Sequence, residues 1–265
     1  MINNITTNKN LLEISNLSLS FMQNKNEINI LDNVNFKIRK KQTISLVGES
    51  GSGKSLTALS IMGLLPSSAI LSKSSKVVFN SENLIKVPPR DMDKIRGNEM
   101  SMIFQEPLSS LNPLHKIQKQ IAEIIVLHKG HSYKSAKSLT IELMHKVGIK
   151  NVPDKLESFP HQLSGGERQR IMIAIAIANE PKLLIADEPT TALDVTTQFK
   201  VLKLLKKLQD EIGMSILLIT HDLGIVKNFS DEVCVMKDGV IVENGDTGKI
   251  LLKPQHDYTK HLLGS

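Results

Sequence analysis

A chain of 265 residues is long enough to bury most of its apolar surface without covalent staples, and 40% hydrophobic with 23% charged residues excludes a disordered chain. Lys plus Arg number 33 against 27 Asp plus Glu, a formal charge of +6, while a single cysteine, Cys234, excludes a disulfide framework, a four-cysteine zinc site and a cysteine-ligated iron–sulfur cluster. The lysines are scattered, aromatics are 3% and Trp is absent, so the charge reads as a solvated surface and no nucleic-acid partner is expected. No tract approaches the roughly 18 apolar residues of a membrane span. The first ten residues are polar and lack the apolar core of a signal peptide, so a cytosolic chain is expected.

Alternation predicts a strand on Leu12, Ile14, Leu17, Leu19 and Phe21, then one or two more on Ile28, Ile30, Val34, Phe36 and Ile38, with a turn at 23–26. Residues 43–47 (TISLV) read as a short buried strand, and 48–53 as a glycine-rich loop. Residues 55–62 read as a helix ended near Gly63 and Pro66. Another buried strand is predicted at 100–104. From 113 to 179 the strand signal gives way to helical spacing, on Ile117, Ile121 and Ile124, then Leu139, Leu143 and Val147, then Ile171 and Ile175. Strands return at 183–186, 215–220 and 233–236, with a helix at 196–212 between the first two. The expected fold is α/β. A parallel nucleotide-binding core over 1–112 and 180–265 is interrupted by a helical subdomain at 113–179.

Gly48-Glu49-Ser50-Gly51-Ser52-Gly53-Lys54-Ser55 matches G-x-x-x-x-G-K-[ST], the P-loop, with a predicted strand before it and a helix after it. Its glycines let successive N–H groups cradle phosphate oxygens, and the helix adds its positive end. Lys54 suits the β- and γ-phosphates and the Ser55 hydroxyl suits Mg²⁺. This leaves GTPases, kinases, helicases and transport ATPases open. The strand at 183–186 runs into Asp187 and Glu188. Beside a P-loop strand, Asp187 would reach the Mg²⁺ shell and Glu188 would stand where an attacking water loses a proton. Alone, the pair is only a buried strand meeting a polar turn. Ser164-Gly165-Gly166-Glu167 opens a helix predicted at 167–179, either as a plain N-cap or as a second anion cradle. Two cradles in one chain point to a γ-phosphate held by a second copy.

Leu163-Ser164-Gly165-Gly166-Glu167 resembles the signature of ABC ATPases, and the other motifs of that family follow in order. The resemblance implies a P-loop ATPase cassette with a helical subdomain and an N-terminal antiparallel β subdomain. It implies Gln105 as the Q-loop glutamine and Mg²⁺ ligand, Asp194 as the D-loop aspartate, and His221 as the switch histidine. Phe21, 27 residues before Gly48, stands where the family stacks an aromatic on adenine; the other reading is a core strand residue. A surface helix cap is the other reading of His221.

The stretches 104–113, 160–163 and 257–260 resemble the peptide/nickel importer branch (Opp, Dpp and Nik types), and 112–115 with 127–130 resemble the first cassette of Yej-type ATPases. That branch implies MgATP hydrolysis at the cytoplasmic face of a bacterial membrane. It implies a second cassette (a homodimer or a paralogous heterodimer), two transmembrane permease subunits and an extracytoplasmic substrate-binding protein. The cargo is a peptide, a peptide antibiotic or, alternatively, nickel. A non-transport ABC ATPase of DNA repair or of translation stays open as the alternative, although the first kind carries long heptad insertions and the second two cassettes, and this sequence displays neither pattern. The eight histidines are dispersed, so no transition-metal site is expected. The chain departs from the family at Lys40-Lys41, at Ser81 and at Asp257, none of them a nucleotide contact.

Overall fold

The computed structural model describes residues 10–24, 26–105, 110–191 and 193–264. The backbone divides into two compact units, one built on residues 10–92 and 217–264, the other on Asp93–Ile216. The strands are β1 (Asn10–Gln23), β2 (Asn26–Arg39), β3 (Thr43–Val47), β4 (Ala69–Leu71), β5 (Lys76–Phe79), β6 (Glu82–Asn83), β7 (Met100–Ile103), β8 (Leu183–Asp187), β9 (Ser215–Thr220), β10 (Glu232–Lys237) and β11 (Val240–Asp246). The helices are α1 (Lys54–Met62), α2 (Pro89–Ile95), α3 (Ile117–Lys129), α4 (Tyr133–Lys146), α5 (Val152–Leu156), α6 (Gly165–Ile177), α7 (Val195–Ile212), α8 (Leu223–Phe229), α9 (Thr247–Leu252) and α10 (Asp257–Gly264).

In the first unit β1 and β2 form a long antiparallel hairpin, with Leu12 opposite Ile38 and Phe21 opposite Ile28. Residues 28–38 are thus one strand, not two. The pattern alternates because one face is buried: Leu12, Ile14, Leu17, Leu19, Leu31, Val34 and Ile38 are almost fully shielded. Each such side chain contributes about 1.5–3 kcal/mol of burial. The free edge of β1 takes β4 and β5, and β6 follows β5 through a two-residue turn, Asn80-Ser81. Both turn residues have positive φ, 48° and 74°, as this hairpin type requires, so Ser81 occupies a position that glycine fits without strain. A second layer has the order β11-β10-β3-β9. Here β10 runs parallel to β3, and β11 is antiparallel to β10. The apolar cluster of Val47, Val226, Val233, Val235, Ile250 and Tyr258 joins β3 and β10 to α8, α9 and α10.

In the second unit β7 and β8 pair in parallel, with Ile103 opposite Ala186. Helices α3 to α6 occupy the stretch where the strand signal vanishes; Ile117, Ile121 and Val147 are buried as the spacing predicts, whereas Ile124, Leu139 and Leu143 are only half-buried and α4 turns Ala136, Thr140 and Met144 inward. Helix α6 buries Ile171, Met172, Ile173 and Ala174 in succession and is covered on several sides. It begins at Gly165, two residues before the helix expected from 167, because Ser164 caps it, and it ends at Ile177 rather than at 179. The strand expected at 100–104 stops at Ile103. Elements β4, β5, β6 and β11, and helices α2, α8, α9 and α10, were not foreseen. Among the described residues, no helix is long and apolar enough to cross a membrane.

Candidate functional site

The glycine-rich loop leaves a strand buried at all five positions and enters α1. Backbone crowding dictates its composition. A Cβ on Gly48 would lie 2.1 Å from the Met236 carbonyl oxygen, and one on Gly53, at φ +105°, would lie 2.5 Å from Leu31 Cδ2. Gly53 sits at the N-cap of α1 with no side-chain cap, and the first turn carries no acidic residue. The N-terminal N–H groups and the helix dipole are thus presented without a competing carboxylate, which suits an anion. Glu49, Ser50, Gly51 and Ser55 are exposed, whereas Ser52 and Lys54 are buried. The Lys54 ammonium donates to the Gly48 oxygen at 2.8 Å, the Glu49 oxygen at 2.7 Å and Ser52 Oγ at 3.4 Å. The cation is folded back onto its own loop.

Two residues whose contact with this loop sequence reading missed, Gly239 and Tyr258, hold it. Gly239 N–H donates to the Ser52 oxygen at 3.0 Å, and its own oxygen accepts from Asp32 N–H at 3.0 Å. The Tyr258 hydroxyl accepts from Glu49 N–H at 3.1 Å, and the Lys237 ammonium lies 5.1 Å from the Tyr258 ring centre. Burial pushes the Tyr258 phenol up, which keeps it neutral. In the same unit Phe21 is half-buried near the end of β1, outside the shielded core. His221 is exposed directly after β9. The next residue, Asp222, caps α8 through Gly224 N–H at 2.8 Å, so the capping role belongs to the aspartate and not to the histidine.

In the second unit the parallel register of β7 and β8 sets the chemistry. With Ile103 opposite Ala186, Gln105 and Glu188 emerge side by side, each two residues further on. Gln105 Nε2 donates to Glu188 Oε2 at 3.1 Å, and Thr191 Oγ1 donates to the same oxygen at 2.8 Å. Asp187 ends the strand with 5% exposure. Glu188 follows with φ +45°, a left-handed conformation that costs a side-chain-bearing residue about 1–2 kcal/mol.

Ser164 caps α6 in a reciprocal box. Glu167 N–H donates to Ser164 Oγ at 3.2 Å, and Ser164 N–H donates to Glu167 Oε2 at 2.9 Å. Lys155 lies 3.0 Å from Glu167 Oε1. Burial pushes the Glu167 carboxyl up, but hydrogen bonds from Ser164 and Lys155 outweigh it and hold it below its ordinary value. Cβ atoms on Gly165 and Gly166 would meet Leu193 at 3.9 Å and Thr197 at 3.2 Å, so the turn packs beside the start of α7. There Asp194 is the N-cap, accepting from Thr197 N–H at 3.0 Å; a hydrogen bond from the Thr197 side chain, then this backbone bond, hold its carboxyl below the ordinary value. Cys234 is buried, and desolvation pushes its thiol up to about 12, so it has no nucleophilic role. Residues 106–109, within the importer-like stretch, lie outside the described residues.

The family model described as "ABC transporter" matches residues 31–191, from β2 through the carboxylate strand. The chain belongs to the ABC transporter family. Relatives of this cassette are similar over nearly its whole length. It is 50% identical to the peptidoglycan transport ATP-binding protein YejF of Agrobacterium fabrum, over 98% of this chain and 48% of that protein. It is also 50% identical to the oligopeptide transport ATP-binding protein AppD of Bacillus subtilis, over 96% of this chain and 78% of that one. It therefore spans about half of the first relative and most of the second. Among solved structures, it matches the ATP-binding cassette MJ0796 in a dimeric post-hydrolysis state bound to ADP and Pi. The TM-score is 0.79 at 28% identity, over 89% of this chain and 98% of that chain. The expected ABC cassette fold, with its antiparallel N-terminal strands and helical stretch, is the fold observed.

Proposed function

We propose that this cassette binds and hydrolyses MgATP as the energy-supplying subunit of a bacterial importer of peptides or peptide-bearing molecules. The observation that carries the ATPase reading is the pairing of a P-loop, whose uncapped helix start faces anions, with a Glu188 carboxylate gripped by two donors. ATP phosphates take the place of the loop carbonyls on Lys54. Gly48 to Gly53 lend backbone N–H groups, and Glu49, Ser50 and Ser52 complete the loop. Phe21 stacks on adenine.

The Ser55 hydroxyl of the first unit, and the Gln105 amide and buried Asp187 carboxylate of the second, are each oxygen donors of the kind a hard cation such as Mg²⁺ takes. When bound, Mg²⁺ neutralises the charge that develops on the phosphates. Glu188 accepts the proton of the attacking water, and His221 orients that water. Ser164, Gly165 and Gly166 close over the γ-phosphate of a second cassette, with Asp194 beside them. The Ser164 oxygen already accepts from Glu167 N–H, which leaves its proton for a phosphate oxygen.

The relatives named for a cargo carry oligopeptide, peptide or peptidoglycan, and this supports peptide over nickel. Two permease subunits and an extracytoplasmic binding protein complete the importer, and the cassette works at the cytoplasmic membrane face. Glu188→Gln tests the reading. ATP binding is expected to survive while turnover falls by a factor of about 10² or more, because the shape stays and the base goes. Lys54→Ala is expected to weaken binding and turnover together. A Gln variant that hydrolyses ATP at the wild-type rate refutes Glu188 as the base.

A further inference from the structure

Thr191 touches Glu188 at both of its ends. Its N–H donates to the Glu188 carbonyl oxygen at 3.2 Å and closes a tight turn. Its hydroxyl donates to Oε2 at 2.8 Å, a shorter bond than the 3.1 Å one from Gln105. The turn begins at a left-handed residue, a conformation that lasts only where the surroundings impose it. Gln105, the other donor to Oε2, is 83 residues away in sequence and belongs to a different strand end. Thr191 is three residues away on the same turn and keeps its grip if Gln105 moves onto a ligand.

We propose that Thr191 is a positioning residue for hydrolysis. Its hydroxyl holds the Glu188 carboxylate in one orientation, with Oε2 engaged, so that the base meets the water in a fixed geometry when Gln105 is recruited elsewhere. The inference rests on the reading of Glu188 as the base. In this role Thr191 acts through Glu188, so its effect falls on kcat and not on nucleotide affinity.

The experiment compares Thr191→Val, Thr191→Ala and Thr191→Ser in the full chain, measuring kcat and KM for ATP hydrolysis and the Kd for a non-hydrolysable ATP analogue. Val and Ala both remove the donor, Val at nearly constant bulk and Ala with loss of bulk, and Ser retains it. Val and Ala are expected to lower kcat about tenfold or more, the effect of losing a hydrogen bond to a charged group, with the analogue Kd unchanged. Ser is expected to stay within about twofold of wild type. In a Glu188→Gln background, adding Thr191→Ala is expected to change the residual turnover little, because the group it positions has lost its role. Wild-type kcat in the Ala variant, or a Ser variant as slow as the Ala variant, overturns the proposal. Wild-type turnover in Glu188→Gln alone overturns instead the reading on which it rests.

Discussion

At the scale of single residues, Phe21 separates two readings that the alternating pattern of β1 leaves open. Leu17 and Leu19, in the same strand, are fully shielded, but Phe21 is only half-buried. A ring in that position has a face to offer. Phe21→Ala is expected to raise the Kd for ATP about tenfold, the loss of about 1–1.5 kcal/mol of ring contact. Equilibrium ATP binding checks this, and an unchanged Kd with a lowered melting temperature would favour a packing role. The P-loop was legible because its glycines, Lys54 and Ser55 are contiguous and their spacing has one chemical use. Tyr258 was not, because its hydrogen bond to Glu49 spans 209 residues and depends on tertiary packing. Thr191 was hidden for another reason. A threonine in a turn is common, and only the coordinates reveal that its hydroxyl reaches Glu188.

At the scale of elements, the start of α6 combines a cap, a carboxylate and a cation in one turn. The pair at 164 and 167 is readable as a capping box, but Lys155 reaches it from α5 and no local pattern announces it. Because Glu167 is held below its ordinary value of 4.5 in the folded chain, its charge stabilises the fold above that value. The contribution is lost as pH falls through the ordinary value and then the lowered one. Glu167→Gln keeps a side-chain oxygen to accept from Ser164 N–H and removes the charge. The variant is expected to be less stable than wild type at neutral pH, with the gap in urea midpoints closing as pH drops below 4.5. A gap that does not change with pH would mean the charge contributes nothing. The strong elements were legible where period and length agreed, as in β3, α3 and α7. The short edge strands β4 to β6 have two to four residues each, too few for a period to register. The last helices, α9 and α10, have six and eight residues and are held by packing and by caps such as Asp246.

At the scale of the whole molecule, the chain carries one cradle on its first unit and one cap-type cradle on its second. The solved cassette it resembles is described as dimeric in a post-hydrolysis state. The central claim is that hydrolysis needs two cassettes, each closing its Ser164 turn on the ATP of the other. On this reading a second copy of this chain would supply both parts, as would a paralogous cassette that carries them. The most direct test is the ATPase rate per chain as a function of protein concentration, for wild type and for Ser164→Arg. The account predicts a rate near zero in dilute solution that rises as the chain is concentrated, and no rise for the arginine variant despite intact ATP binding. A rate per chain that is constant down to nanomolar protein, and unaffected by Ser164→Arg, would contradict it.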